Sequence, residues 1–359
     1  MPRSDSRYSS GINQRNRSLD ALRGIAILAV VLGHINLGIM QAGLTQDAPQ
    51  MYKRLNIALY SVHMPLFALL FGFNIPGSWR RRGSLVYAAN RIIGFIYLYL
   101  VWSLIQGTAE VLGARFSNGG TTWAEVANLS RPLAHLWYLP WMVFIFGCLV
   151  IVRPWETKVR AVLSMTVCAA CAVVLWGVNY AVIFGSGVAI YLFAVVGALI
   201  GTERMGQLNK ARPPVTISVA LVSLIVFLSM VLSKLYISTP TLDDPYRTGS
   251  SILFGIIATL TGVTGVVLAV ASLSRWISFR PLEFIGRYSL HIYLMHLLIT
   301  PLTRILLVRS GIDNPVILMV ISLITGVGLP LVTAVLLEKR VPWLFNVPQA
   351  LQLVEKVKK

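Results

Sequence analysis

The sequence predicts an all-α polytopic integral membrane protein with about ten transmembrane helices. Three observations carry that reading. Of 359 residues, 56% are hydrophobic and only 12% charged, and the mean hydropathy of +0.72 lies well outside the range of ordinary soluble domains. Apolar runs of membrane-crossing length recur along the whole chain, separated by short polar turns. The basic residues behind the net charge of +18 are spread over those turns, which excludes the nucleic-acid binding that such a charge on one soluble face would suggest.

In chain order, residues 1–18 read as a disordered basic tail lying against anionic lipid headgroups, with Arg3, Arg7, Arg15 and Arg17 among serines. No signal-peptide pattern precedes the first span, which is expected to stay as a signal anchor. Residues 19–340 form one transmembrane domain, and 341–359 a short C-terminal tail. Spans are expected near Gly24–Met40, Ile57–Ile75, Ile92–Leu112, Leu136–Val152, Val159–Trp176, Ala181–Gly201, Val215–Leu235, Ser250–Leu273, Ser289–Leu307 and Val316–Leu337. With the N-terminus placed in the cytoplasm, the inside turns collect most of the Lys and Arg, including Arg80, Arg81, Arg82, Arg91, Arg153, Arg204 and Arg275. Acidic residues split nearly evenly, so the bias is of the kind that sets orientation, and both termini are expected in the cytoplasm. Cys148, Cys168 and Cys171 all fall inside apolar runs, where helix packing explains them better than a disulfide or a metal.

The first span concentrates the chemistry. The run Leu19 to His34 drives Asp20, Arg23 and His34 into an apolar helix, and ionisable groups within spans are expensive and usually functional. Arg23 and His34 are eleven residues apart, close to three turns, so they share a face with His34 about 16 Å further along the axis. Asp20, one turn before Arg23, can pair with it. All five histidines, His34, His63, His135, His291 and His296, fall within or at the mouth of a span. His34 and His296 come to similar depth near mid-membrane. The others read first as hydrogen-bonding residues between helices.

The run "LDALRGIAILAVVLGH", with its basic residue, ten residues and then His, resembles the first helix of the membrane acyltransferase-3 family, in particular its sugar O-acetyltransferase, fucose 4-O-acetylase-like members. Further runs resemble the same family in the same order: "HMPLFALLFGF" from His63, with Phe71 where the family usually has Ser; Arg80 to Arg82 with Arg91; "HLWYL" from His135; and "GRYSLHIYLMH" from Gly286 through Tyr293 to His296. The resemblance implies transfer of an acyl group, most often acetyl, from cytoplasmic acyl-CoA to a sugar hydroxyl, in a bacterial cytoplasmic membrane and alongside polysaccharide synthesis or export machinery. It implies that Arg23 and Arg91, with Arg80, Arg81 and Arg82, bind the CoA phosphates, for which Arg supplies charge-assisted hydrogen bonds. His34 is then the catalytic base and His296 its partner or an oxyanion donor. Asp20, His63 and Tyr293 support them, and His135, Trp137 and Tyr138 are expected at the acceptor, where aromatic rings suit a sugar. Acetyl-CoA enters as co-substrate; no metal, bound cofactor or nucleic acid is expected.

Other chemistries find no motif. Gly-x-Ser-x-Gly, Walker, dinucleotide and zincin patterns are all missing from the sequence. The competing class is a transporter or flippase of a polar lipid-linked sugar, with Arg residues gripping phosphate. It is disfavoured because no matched pair of Gly/Pro-broken spans marks an inverted repeat.

Overall fold

A chain this apolar must satisfy its backbone without water, which helices alone do segment by segment. The computed structural model describes residues 17–113, 120–208 and 212–354, and among these it contains only helices and connecting turns. The first three helices are α1 (Arg17–Gln41), α2 (Pro49–Arg82) and α3 (Leu85–Gly113); a short α4 (Trp123–Ala127) and a 3-10 turn, Ala134–Trp137, then lead into α5 (Tyr138–Val152). There follow α6 (Lys158–Leu175), α7 (Tyr191–Leu208), α8 (Pro213–Leu232), α9 (Gly249–Leu273), the short α10 (Arg280–Arg287), α11 (Ser289–Arg309) and α12 (Pro315–Leu337). Ten of these segments are long and apolar enough to cross a membrane, as expected. The basic tail expected over residues 1–18 lies almost wholly outside the described residues.

Local chemistry sets the helix ends. Thr157, Thr248 and Asn314 accept hydrogen bonds from first-turn amides of α6, α9 and α12, and Pro213 and Pro315 open α8 and α12, where a missing N–H costs nothing. The starts of α1, α2 and α3 lie seven or eight residues before those expected, and two further boundaries differ for reasons that shape the fold. Helix α2 continues through Pro65 and Pro76 to Arg82, so at about 50 Å it overruns the hydrocarbon. The sixth span begins at Val188 rather than near Ala181, because Phe184 and Gly187 take positive φ and turn residues 181–187 out of helical geometry.

Helix α1 lies in the middle of the bundle, packed on α2, α9, α10, α11 and α12. Its first turns cross α10 backbone to backbone. A Cβ at Gly24 would overlap the Leu282 carbonyl, and one at Gly286 the Asp20 carbonyl, so both positions demand glycine. Gly72 of α2 and Gly197 of α7 meet the backbone of the opposite helix in the same manner. Small residues at such crossings let helices associate where lipid offers no hydrophobic drive. The least buried span is α6, which packs on α7 and has Ala172 as its one fully buried residue. Beyond α12 the C-terminal segment folds back on α3: Tyr97 Oη donates to the Trp343 carbonyl at 2.9 Å, Trp102 Nε1 to the Leu344 carbonyl at 2.8 Å, and Asn90 exchanges two bonds with Leu353.

Candidate active site

Three imidazoles from three helical segments meet beside α1. The ring centroids of His34 and His296 are 5.2 Å apart, those of His135 and His296 4.8 Å, and those of His34 and His135 6.0 Å. Tyr60 bridges to a fourth, 4.7 Å from the His63 ring and 6.3 Å from that of His34. Each ring is held through one nitrogen by a backbone carbonyl. His34 Nδ1 bonds the Val30 carbonyl at 2.9 Å and His63 Nδ1 the Leu59 carbonyl at 2.6 Å. His296 Nδ1 reaches the carbonyls of Ile292 and Tyr293 at 3.0 and 2.8 Å. Because a carbonyl only accepts, those nitrogens carry the protons, and Nε2 of His34 is the bare, proton-accepting atom in the neutral ring.

Tyr293 ties the cluster together. Its carbonyl also accepts from His135 Nε2 at 2.7 Å, while its own hydroxyl donates to the His135 carbonyl at 2.5 Å. This reciprocal pair joins the start of the fourth span to α11 and fixes two imidazoles from a single residue. Buried polar atoms without a partner remain at His135 Nδ1 and His296 Nε2. The donor of His296 is spent on carbonyls, so a neutral His296 offers an acceptor and not the oxyanion donor named from the sequence.

Two cavities converge here. One, of about 390 Å³, opens on the side where α1 begins and is lined by Arg23, Asn74, Ser78, Tyr87, Arg91 and Ser289 among apolar residues. The other, of about 940 Å³, lies toward the opposite side and is lined by His34, His63, His135, Trp137, Glu110 and Arg304, among others. Val30, Met64 and Tyr293 line both, so the partition between the cavities lies one turn of α1 before His34.

At the rim of the smaller cavity Arg23 Nη1 pairs with Asp20 Oδ1 at 2.9 Å, the carboxylate nearly buried and the guanidinium partly exposed. The Arg91 guanidinium lies 5.2 Å over the Phe95 ring. Arg80, Arg81 and Arg82 are exposed at the end of α2 and are not in the cavity lining; Arg80 pairs with Glu203 at 3.3 Å. Tyr138, expected with the acceptor residues His135 and Trp137, lines the smaller cavity instead. Stacked on it is Trp141, whose Nε1 donates to the Gly187 carbonyl. His291 stands apart, 4.3 Å from the Phe345 ring and 3.8 Å from Glu338. Among the described residues no cluster of ligands suits a metal ion.

Sequence reasoning missed Tyr60, Asn74, Tyr87 and Arg304. None stands in the quoted runs; Tyr60, three residues before His63, carried a signal in its one-turn spacing from a histidine. The larger cavity is roofed in part by residues 233–248, which place Thr241 and Leu242 in its wall. Trp176 Nε1 donates to the Ser238 carbonyl at 2.8 Å, and Arg247 to the carbonyls of Val174 and Trp176. Tyr236 Oη donates to Asp244 at 2.6 Å, and that bond to a carboxylate pushes the phenol up to about 12.

Ten membrane-length helical segments around a buried cluster of imidazoles, reached by two cavities, define an integral membrane protein with a candidate active site within its spans. The pattern of the acyltransferase-3 family, described as an acyltransferase domain, matches residues 16–335, and the chain belongs to that family. It is also similar to the nodulation protein NolL of Sinorhizobium fredii (strain NBRC 101917 / NGR234), with 30% identity over 135 residues, 38% of this chain and 36% of the relative. The likeness thus spans little more than a third of the relative's length. No solved structure matches the chain.

Proposed function

We propose that the protein is a membrane O-acyltransferase that moves an acyl group, acetyl first among candidates, from acyl-CoA to a hydroxyl of a carbohydrate. The observation that carries this reading is the pair of cavities meeting at Val30, Met64 and Tyr293 beside His34. Arg23 and Arg91 give the smaller cavity the cationic rim that CoA phosphates need, and the apolar walls behind them accommodate a pantetheine arm. Buried polar atoms in the larger cavity, at Asn179, Thr241 and Ser322, offer partners to sugar hydroxyls. The Lys and Arg bias supports an orientation with the smaller cavity and both termini on the cytoplasmic side, in what the family resemblance suggests is a bacterial inner membrane.

In the reaction the acceptor hydroxyl attacks the thioester carbonyl while His34 Nε2 takes its proton. The C–O bond forms, the C–S bond breaks, and the proton on His34 passes to the departing CoA sulfur, so the ring returns to its starting state. The Val30 carbonyl holds Nδ1–H throughout, and the His296 ring, packed edge-on, limits rotation of the base. Incubating the purified protein in lipid nanodiscs with labelled acetyl-CoA and surface glycan from a strain lacking the protein tests this. Label transferred to base-labile ester on the glycan is the expected result. A transporter or flippase would neither bind nor consume acetyl-CoA, and that outcome refutes the proposal.

A further inference from the structure

The larger cavity contains a cation that the acyl-transfer chemistry does not use. Arg304, on the second-to-last turn of α11, is half-buried in the cavity wall, and its Nη1 donates to the carbonyl of Gly38 on α1. No carboxylate of the described residues forms an ion pair with it. The one acid in the cavity lining, Glu110, is engaged by Gln106 at 2.9 Å and Thr121 at 3.0 Å. Gly38, without a side chain, lets the guanidinium reach the α1 backbone; a Cβ there would crowd Arg304 Nη1 at 3.1 Å. A guanidinium has five N–H donors, and one carbonyl leaves most of them to the cavity. A half-buried cation with spare donors and no counter-charge is a site for an anion.

Its position specifies where that anion lies on the acceptor. The His34 ring is tied to the Val30 carbonyl and the guanidinium to the Gly38 carbonyl, eight residues or about 12 Å apart along α1, a span that one pyranose ring together with a phosphate on it can bridge. Beside the guanidinium Leu302 and Leu306 line the same cavity yet are more than half exposed on the outer surface of α11, giving the anion site an apolar wall open to the side of the bundle. We infer that Arg304 is a specificity-determining residue that binds a phosphate carried directly on the sugar being acylated. The inference rests on the acyltransferase reading above and adds the charge of its acceptor. The phosphate comes either from a lipid carrier, whose chain would follow Leu302 and Leu306, or from a free sugar phosphate.

The test compares three forms of one sugar as acceptors: methyl N-acetylglucosaminide, N-acetylglucosamine 1-phosphate and farnesyl-phosphoryl N-acetylglucosamine. The wild type is expected to favour both phosphorylated forms over the glycoside, with the farnesyl form best if the phosphate is lipid-borne and no better than the free phosphate otherwise. Arg304→Gln should raise KM for the phosphorylated forms by about 10- to 100-fold, the range for a lost charge-assisted hydrogen bond, with Arg304→Lys recovering part of it. The ratio of phosphorylated to neutral acceptor use should therefore collapse in the Gln variant. Equal losses on all three acceptors would show a clamp between α11 and α1 and overturn the inference, as would a wild type indifferent to phosphate. Binding of labelled farnesyl phosphate to the wild type and to Arg304→Gln decides the matter independently of turnover. Binding that the variant loses supports the anion site even if no sugar is acylated, and an absence of wild-type binding overturns it while leaving acyl transfer intact.

Discussion

Replacing His34 with Gln separates chemistry from packing at the centre of the bundle. The imidazole makes one hydrogen bond, Nδ1–H to the Val30 carbonyl at 2.9 Å, and three ring contacts, to His296, His135 and Tyr60. A Gln amide can repeat the hydrogen bond four residues back, so the term worth about 0.5–1.5 kcal/mol is kept. What remains is a change in ring packing, of the order of 1 kcal/mol. Stability in detergent should fall by no more than a few degrees, and CoA binding at Arg23, three turns away, should persist. The amide cannot accept a proton near neutral pH, so turnover should drop by the full contribution of the general base. That is about 10²- to 10⁴-fold, or about 3 to 5.5 kcal/mol in barrier height. The assay is single-turnover acetyl transfer, with CoA affinity and thermal unfolding measured on the same preparation. A Gln variant that turns over within a few-fold of the wild type would show that the imidazole is only structural, and the base would then have to be sought at another bare nitrogen of the cluster.

Other expectations follow from the same geometry. Arg23→Ala should raise KM for acyl-CoA well above any change in acceptor KM, with Lys a partial rescue; an unchanged donor KM removes Arg23 from the donor site. Because the nearly buried Asp20 loses its 2.9 Å partner in that variant, the protein should also become less stable, and adding Asp20→Asn should restore stability without restoring donor affinity, as read by unfolding midpoint and steady-state kinetics. Gly286→Ala sets a methyl into the Asp20 carbonyl, so the crossing of α10 and α1 must open; the expected loss is several kcal/mol, at the upper end of overpacking costs of about 1–3 kcal/mol or beyond, and near-wild-type melting would refute the close packing. For orientation, with Cys148, Cys168 and Cys171 replaced, an impermeant thiol reagent added outside cells should label Tyr246→Cys and spare Gln207→Cys. The reverse pattern would put the Arg23 rim on the outside.

What the sequence made legible was whatever its physics stores locally. Ten apolar runs translate into ten helices because membrane depth fixes their length, and the Asp20 to Arg23 spacing yields an ion pair because one turn does so on any helix. The failures occur where information is non-local. His135 reads as a hydrogen-bonding residue between helices and, by resemblance, as part of the acceptor site, and nothing in its neighbourhood in the sequence sets it against His34. Its place against His34 and His296 depends on the Tyr293 carbonyl, 158 residues away, which accepts from two rings at once. The late start of the sixth span is hidden for a different reason: hydropathy stays high through residues 181–184, and only the positive φ of Phe184 and Gly187 breaks the helix.

The placement of glycine against charge in α1 connects these levels. Helix α1 carries its functional groups on turns that are also its tightest contacts: Gly24 follows Arg23 directly, and the Asp20 carbonyl touched by Gly286 belongs to the residue that pairs with Arg23. Further along, Gly33 lies beside the Tyr60 and His63 rings, and Gly38 supplies the carbonyl bound by Arg304. At Gly24 the neighbouring helix comes to backbone distance, and at Gly33 and Gly38 the missing side chain admits polar side chains of the facing helices. In hydrocarbon such close approach replaces the water that would otherwise stabilise those groups. The run from Asp20 to Gly38 thus positions a guanidinium at one cavity and an imidazole at the next on one rigid rod. On the acyltransferase reading, the groups that would meet the donor and the acceptor are thereby held in register by a single helix.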